Sequence, residues 1–398
     1  MDGQEWSPDQ NDIIAQEWNP NLNQVIGQEW NYDQNYMDDQ EWNHSLNLVT
    51  NNQAWDSDFS DGNIDLQEWN FFKSQFNKNY ENNEEEQNKI KVYSDNKNKI
   101  NEHNARFEQG EVSYDLKMNH FGDLTYDEFS QTHLNKLQMG KELDPQRLVS
   151  NPDPDPKKAD HLVRIHSIPK TCGTAPETKD WVKEGAVTEV KTQGVCGCCW
   201  AFASTGAIEA QLFIQTKKLV SLSEQNLLDC VGDRHDVNNT CTSGGLLNSF
   251  EYVLQNDGID TAKAYPYTGV QGACHYDSKT KGGSIKDFKR LAKEDENLLK
   301  EVVGLIGPVA CGFNIDDAFF VQFYQSGIYS SDKCGGNVNH GVLVVGYGTE
   351  NGKDYWLCKN QWGTSWGEGG YFKVARNSKN MCGIASECYI PLTKIPMC

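Results

Sequence analysis

The chain changes character once, near residue 170, and that break limits what it can fold into more than any other feature. Asn, Gln, Asp and Glu crowd the first 110 or so residues. After the break, Gly, aromatics and apolar runs increase, and the thirteen cysteines are concentrated there. Of the formal net charge of −21, about −17 lies before residue 175. A chain of 398 residues, at a soft prior of about 150 per domain, predicts two or three units. Its acidity argues against nucleic acid as a partner, because it repels phosphate backbones. No run approaches the roughly 18 to 20 apolar residues of a membrane span. The cysteine count points to an oxidising compartment, either a lysosome-like organelle or the exterior. The start, "MDGQEWSPDQNDIIAQEW", shows no secretory signal, so the route into such a compartment stays open.

Residues 1–63 carry a repeat. Gln-Glu-Trp-Asn, or a near copy, starts at Gln4, Gln16, Gln28, Gln40, Gln53 and Gln67. One aromatic per dozen polar residues buries too little surface to offset chain entropy, so a disordered extension is expected. A tail presenting Trp anchors to a partner is the other reading. Residues 64–145 read as helical. Trp69, Phe72 and Phe76 fall on one stripe, and Ile90, Tyr93, Ile100 and Phe107 lie among charges in a second helix. "YDLKMNHFGDLTYDEF" alternates like a short strand up to Gly122, then Thr125 and Glu128 have capping-box spacing. Residues 146–174, with "SNPDPDPKKAD", read as an extended linker. Residues 175–398 begin with helices, "CWAFASTGAIEAQLFIQTK" and "LSEQNLLDC", the second capped by Ser221 or Ser223. Strands follow: "GPVACGFN", "HGVLVVGYG", "DYWLCKNQWG" and "GYFKVAR". That order predicts an α+β arrangement with a cleft between two halves.

The chemistry is expected at Cys199. It stands where a Gly/Cys-rich turn meets a long helix, and a helix N-terminus favours a thiolate and leaves N–H groups free for an oxyanion. Gln193 can add an amide donor. His340, at the start of an apolar strand, can act as base. Asn360 can accept its ring N–H, and Trp362 can cover that bond.

Together, "QGVCGCCWAF", "NHGVLVVGYG" and "KNQWGTSWGEGGYF" closely resemble the papain family of thiol proteases, especially its cathepsin L-like branch. The resemblance covers roughly residues 65–398. It implies a two-lobed fold, a helical lobe and a β-barrel-like lobe with the cleft between them. It also implies an endopeptidase made as an inactive precursor, with Cys199 and His340 as a thiolate–imidazolium pair, Asn360 orienting the histidine and Gln193 in the oxyanion hole. No cofactor or metal is implied. The partners are protein or peptide substrates and the chain's own pro-segment, and the chain is expected to be a monomer. Glu85, Lys89, Tyr93, Asn96, Ile100 and Asn104 match the helical pro-segment pattern, and Asn119, Phe121 and Asp123 match its second motif. The linker is expected to cross the cleft in reverse. Acid is expected to weaken ion pairs holding the pro-segment to the catalytic unit, with the mature start near Ala175-Pro176. A non-catalytic binding relative is the alternative, disfavoured by the presence of all four catalytic residues.

By the same resemblance, Gly244 and Gly245 offer backbone bonds to an extended substrate. Leu246, Leu247, Gly312 and Val338 wall the pocket for the second residue before the scissile bond, and Glu387 forms its floor. A carboxylate there is expected to accept arginine alongside Leu and Phe. The implied disulfides are Cys196–Cys241, Cys230–Cys274 and Cys334–Cys382. Of the remaining cysteines, Cys311 and Cys358 are expected as buried thiols, and a single extra bridge is plausible. Cys198 stands where the family usually has serine. It is either a passive replacement or a thiol that oxidises with its neighbour into an off-switch.

Overall fold

A computed structural model describes residues 66–134, 136–137, 164–235, 240–315, 318–395 and 397. The first five copies of the Trp repeat lie outside the described residues, as does Asn238, the acceptor of an Asn238-Asn239-Thr240 glycosylation sequon. The sixth copy starts helix α1 (Leu66–Gln75), where Trp69 and Phe72 are buried. Helix α2 (Asn83–Glu108) follows, capped by Asn82, whose side chain accepts from Glu85 N. The two helices join through a cluster of Trp69, Phe72 and Tyr93. Trp69 stacks on Phe72 at 5.4 Å and meets Tyr93 edge-on at 5.4 Å. Strand β1 is only Tyr114–Leu116, shorter than the alternation in sequence predicts. Helix α3 (Tyr126–His133) starts with the expected capping box of Thr125 and Glu128.

The pattern residues of α2 tie this hairpin to the chain that follows. Lys89 pairs with Glu128 at 2.6 Å, and the Tyr93 hydroxyl donates to Glu68 at 2.9 Å. Asn96 Nδ2 donates to Gly122 O and Leu124 O. Asn104 closes both backbone groups of Leu116, at 2.8 and 2.9 Å, as an extra strand residue would. Asp123 accepts from Lys78 at 2.7 Å and Tyr80 at 3.1 Å.

Short strands β2 (Lys136–Leu137), β3 (Arg164–Ile165) and β4 (Lys179–Asp180) lead into the catalytic unit. Helix α4 (Cys199–Thr216) is apolar on most faces and runs buried through the molecule. Around it lie α5 (Glu224–His235) and α6 (Leu246–Gln255), with β5 (Ser243–Gly244) between them and β6 (Ile259–Asp260) and β7 (Lys281–Gly283) after them. Ser223 Oγ accepts from Asn226 N at 2.9 Å, so it is Ser223 rather than Ser221 that caps α5. The second lobe contains β8 (Asp287–Leu291), α7 (Glu296–Leu305), β9 (Val309–Phe313), α8 (Ala318–Phe323), β10 (Tyr324–Tyr329), β11 (His340–Glu350), β12 (Lys353–Lys359), β13 (Tyr371–Ala375) and β14 (Cys388–Leu392).

The sheet order is β1-β10-β13-β12-β11-β9-β14-β8-β3, with β4 on β11. This corrects the expectation of a barrel-like lobe. The sheet is open, and its end strands come from the pro-segment (β1) and the linker (β3). Those strands satisfy edge groups that closure would otherwise have to satisfy. One apolar core fills the sheet lobe, and a second lies among α4, α5 and α6.

Four disulfides join described residues. Three are the implied ones, and the fourth, Cys311–Cys388, corrects the expectation of a buried Cys311 thiol. Its cause is register, because Cys388 is the partner of Cys311 where β14 meets β9. Cys172 is also disulfide-bonded. Cys358 is a buried thiol, as expected.

Candidate active site

Cys199 is the first residue of α4, and its helix N-terminus faces the start of β11. The contact is close: a side chain on Gly341 would come within 3.2 Å of Cys199 backbone. His340 stands one residue earlier, fully buried, with Nε2 2.9 Å from Asn360 Oδ1. Trp362 lies over the ring at 4.9 Å between centroids. Gln361, which the sequence reading passed over, donates from Nε2 to Gly341 O at 3.1 Å and fixes the strand start. Gln193 is buried, and its Nε2 donates to Cys196 O at 2.8 Å. The four residues named from sequence therefore converge on one cleft.

A pro-segment strand fills that cleft. It is the stretch around Leu134–Leu137, ahead of the 146–174 linker to which the crossing was assigned. Residues 146–163 of that linker lie outside the described residues, and a two-residue strand leaves too short a pattern to read. Strand β2 pairs in parallel with β5, Lys136 opposite Ser243 and Leu137 opposite Gly244. His133 O accepts from Gln193 Nε2 at 3.2 Å. Leu137 is buried in one cluster with Leu246, Leu247 and Val338. An added Cβ on Gly312 would lie 2.7 Å from Val338 and 3.2 Å from Leu137. Gly244 must be glycine, because a Cβ there would meet the Trp200 ring at 2.2 Å. Gly245 is the extended residue that starts α6. Above the site, Phe121 and Phe129 press edge-on against Trp362 at 5.8 and 5.2 Å, and His133 stacks on Phe129 at 5.1 Å.

Burial sets the electrostatics. Desolvation pushes the Cys199 thiol up to about 12 and lowers His340 to about 4. While the site is covered, burial therefore disfavours both the thiolate and the imidazolium. Burial likewise lowers His133 to about 4 and His120 to about 3.

Glu387 differs from expectation. It is 1 % exposed and offers no bare carboxylate to a substrate. Oε2 accepts from Arg290 at 2.9 Å and from Arg164 at 3.0 Å, and Oε1 accepts from the Tyr389 hydroxyl. Arg164 belongs to β3, which adds in parallel to β8. Neither arginine is near Glu387 in sequence, so local reading missed both. Cys198 is buried and unbridged, with Sγ 3.0 Å from the Tyr267 hydroxyl. Cys198 and Cys199 are both free thiols in this structure.

Fold and cleft together define a two-lobed cysteine hydrolase in its blocked precursor form. Residues 175–392 match the model of the papain family cysteine proteases, and residues 69–129 match that of the cathepsin propeptide inhibitor domain. The chain belongs to the papain family, as a cathepsin L-like zymogen. A cathepsin L-like peptidase of Aedes aegypti is 44% identical over 332 residues, spanning 82% of this chain and 93% of that relative. Cathepsin S of Mus musculus is 40% identical across 81% of this chain and 89% of its own length. Among solved structures, digestive procathepsin L 3 of Tenebrio molitor larval midgut superimposes with a TM-score of 0.71 at 38% identity, over 82% of this chain and 98% of that one.

Proposed function

We propose that Cys199 is the nucleophile, His340 its base, Asn360 the group that orients the imidazole and Gln193 an oxyanion-hole donor. The observation that carries this reading is the occupancy of the cleft. A pro-segment carbonyl sits on the Gln193 amide, and Leu137 is buried next to Gly312 in the same apolar cluster as Leu246, Leu247 and Val338. When the pro-segment leaves, water reaches the pair. The α4 N-terminus and the imidazole then favour thiolate and imidazolium over the neutral forms. The thiolate attacks the peptide carbonyl, His340 protonates the leaving amine, and water hydrolyses the acyl-enzyme. The substrates are proteins or peptides bound by the mature chain, which starts near Ala175, as a monomer. Disulfides on both lobes support a lysosome-like or extracellular setting.

Leu137 argues for leucine or phenylalanine as the second residue before the scissile bond. The arginines on Glu387 argue against arginine there. Activated enzyme should cleave a Leu-Arg fluorogenic peptide at least tenfold faster than an Arg-Arg one, roughly the discrimination available to an apolar pocket. Equal rates would refute the pocket assignment. Cys199→Ala should remove hydrolysis of both, and retained hydrolysis would refute the nucleophile.

A further inference from the structure

Cys198 and Tyr267 have no part in the chemistry above, yet they form a continuous hydrogen-bonded chain into it. The Tyr267 hydroxyl donates to Gln193 O at 2.7 Å. Its single proton is thereby used, so its oxygen accepts from the Cys198 thiol, 3.0 Å away. Cys198 is wholly buried, and burial raises its thiol well above the usual range, which keeps it an S–H donor. Its own N–H is held by Cys196 O at 2.8 Å. The Tyr267 ring is braced edge-on against Phe202 at 5.1 Å.

Gln193 depends on such support. Its side-chain oxygen is buried without a hydrogen-bond partner, so Oε1 does nothing to aim the amide. Aim comes from the Nε2 bond to Cys196 O and from the backbone. On one side the Gln193 N–H donates to Gln361 O at 2.9 Å, which ties the loop to the segment carrying Asn360. On the other side Tyr267 holds the carbonyl. An oxyanion-hole donor works only within a few tenths of an ångström of its place, so a grip on both sides of one residue bears directly on rate.

We propose that Tyr267, backed by the Cys198 thiol, is a positioning residue for the oxyanion hole: the chain Cys198 S–H, Tyr267 O–H, Gln193 C=O sets where the Gln193 amide points. The proposal rests on the reading of Gln193 as an oxyanion donor.

The test uses acid-activated enzyme, with active sites counted by stoichiometric alkylation with an epoxysuccinyl inhibitor. Tyr267→Phe should lower kcat per titrated site about tenfold and leave KM within about twofold, a fraction of the roughly hundredfold loss from deleting a donor outright. Alkylation by iodoacetamide, which builds no oxyanion, should keep its rate. Cys198→Ser, which retains a donor, should match the wild type, and Cys198→Ala should fall about threefold. If Tyr267→Phe keeps its kcat, or if kcat and alkylation fall together, the proposal is overturned. If Tyr267→Phe yields no titratable sites, the two Cys198 variants decide alone, and equal rates in them overturn it. Gln193→Ala separates the premises: unchanged kcat there refutes the oxyanion reading itself, whatever Tyr267 does.

Discussion

The pro-segment and the catalytic unit are held together by different forces. The catalytic unit has two large apolar cores and four disulfides among its described residues. The pro-segment has one small aromatic cluster, and much of the rest is polar. Its ion pairs Lys73–Glu86, Lys78–Asp123, Lys89–Glu128 and Lys97–Glu68 all lie within the pro-segment. Across the boundary run apolar contacts, with Ile100, Tyr114, Leu116, Phe121 and Phe129 buried in the core of the sheet lobe, and backbone and amide bonds. Lys117 N donates to Phe323 O at 2.8 Å, and Asn119 Nδ2 donates to Gln322 O at 2.8 Å. Arg164–Glu387 is an ion pair that does cross. Acid is therefore expected to loosen the inhibitor mainly from inside, by weakening the ion pairs of its own hairpin, with the enzyme's disulfides left intact. This amends the expectation that acid cuts ion pairs between the two.

The contrast can be broken most forcefully at Trp69. Trp69→Ala removes the centre of the aromatic cluster that joins the two helices of the hairpin, at a cost of about 3 to 5 kcal/mol. The precursor should then hydrolyse peptide at neutral pH without an acid step, and a variant that stays latent would show that the hairpin is not the weak element. Asn104→Ala is next. It strips two backbone groups of Leu116 of their partner, at about 1 to 3 kcal/mol, and thermal melting should resolve a lower first transition with the second unmoved.

Histidine ionisation sharpens the comparison with respect to pH. His133 is lowered to about 4 when docked, against about 6.5 when free. Its contribution to docking is full above about pH 6.5 and is lost as pH falls toward about 4. Glu86 and Glu128 are lowered too, Glu86 chiefly by its bond from Lys73 and Glu128 by its bond from Lys89, despite desolvation. They act further down: their stabilisation is present above the ordinary carboxylate range and disappears as pH drops through their lowered values. Release measured by cleavage rate should begin in the histidine range. His133→Gln, which keeps the backbone carbonyl on Gln193, should slow release several-fold near pH 5.5, with the difference growing as pH falls toward about 4. An unchanged profile would assign the upper limb elsewhere. The smallest expected effect is at Arg164. Arg164→Ala leaves Glu387 with Arg290 and Tyr389, and should speed release about fivefold, or roughly 1 kcal/mol, with no change in the activated enzyme. A slower release would reverse the sign assigned to this contact.

What could be read from sequence was what local spacing encodes. Cys199 at a helix start and His340 opening an apolar run follow from positions a few residues apart, whereas Lys89, Asn96 and Asn104 were picked out by the resemblance to the family's pro-segment pattern. What escaped depends on pairing between distant segments. Leu137 crosses the cleft on a strand of two residues, too short for any period to appear. Cys311 finds Cys388 through strand register, 77 residues away. Glu387 was read as an open carboxylate because the guanidinium groups that neutralise it come from residues 290 and 164. Tyr267 escaped for the same reason, lying far from the Gln193 it supports.

The account's central claim is that an acid-labile hairpin blocks a competent Cys199 site. It is tested most directly by following hydrolysis of a Phe-Arg fluorogenic peptide by purified precursor, before and after incubation near pH 4.5, about where carboxylates and buried histidines titrate together. Cys199→Ala would run in parallel. Activity that emerges only after acid, and only with Cys199 present, is the predicted result. Full activity at neutral pH, or acid-induced activity in Cys199→Ala, would contradict it.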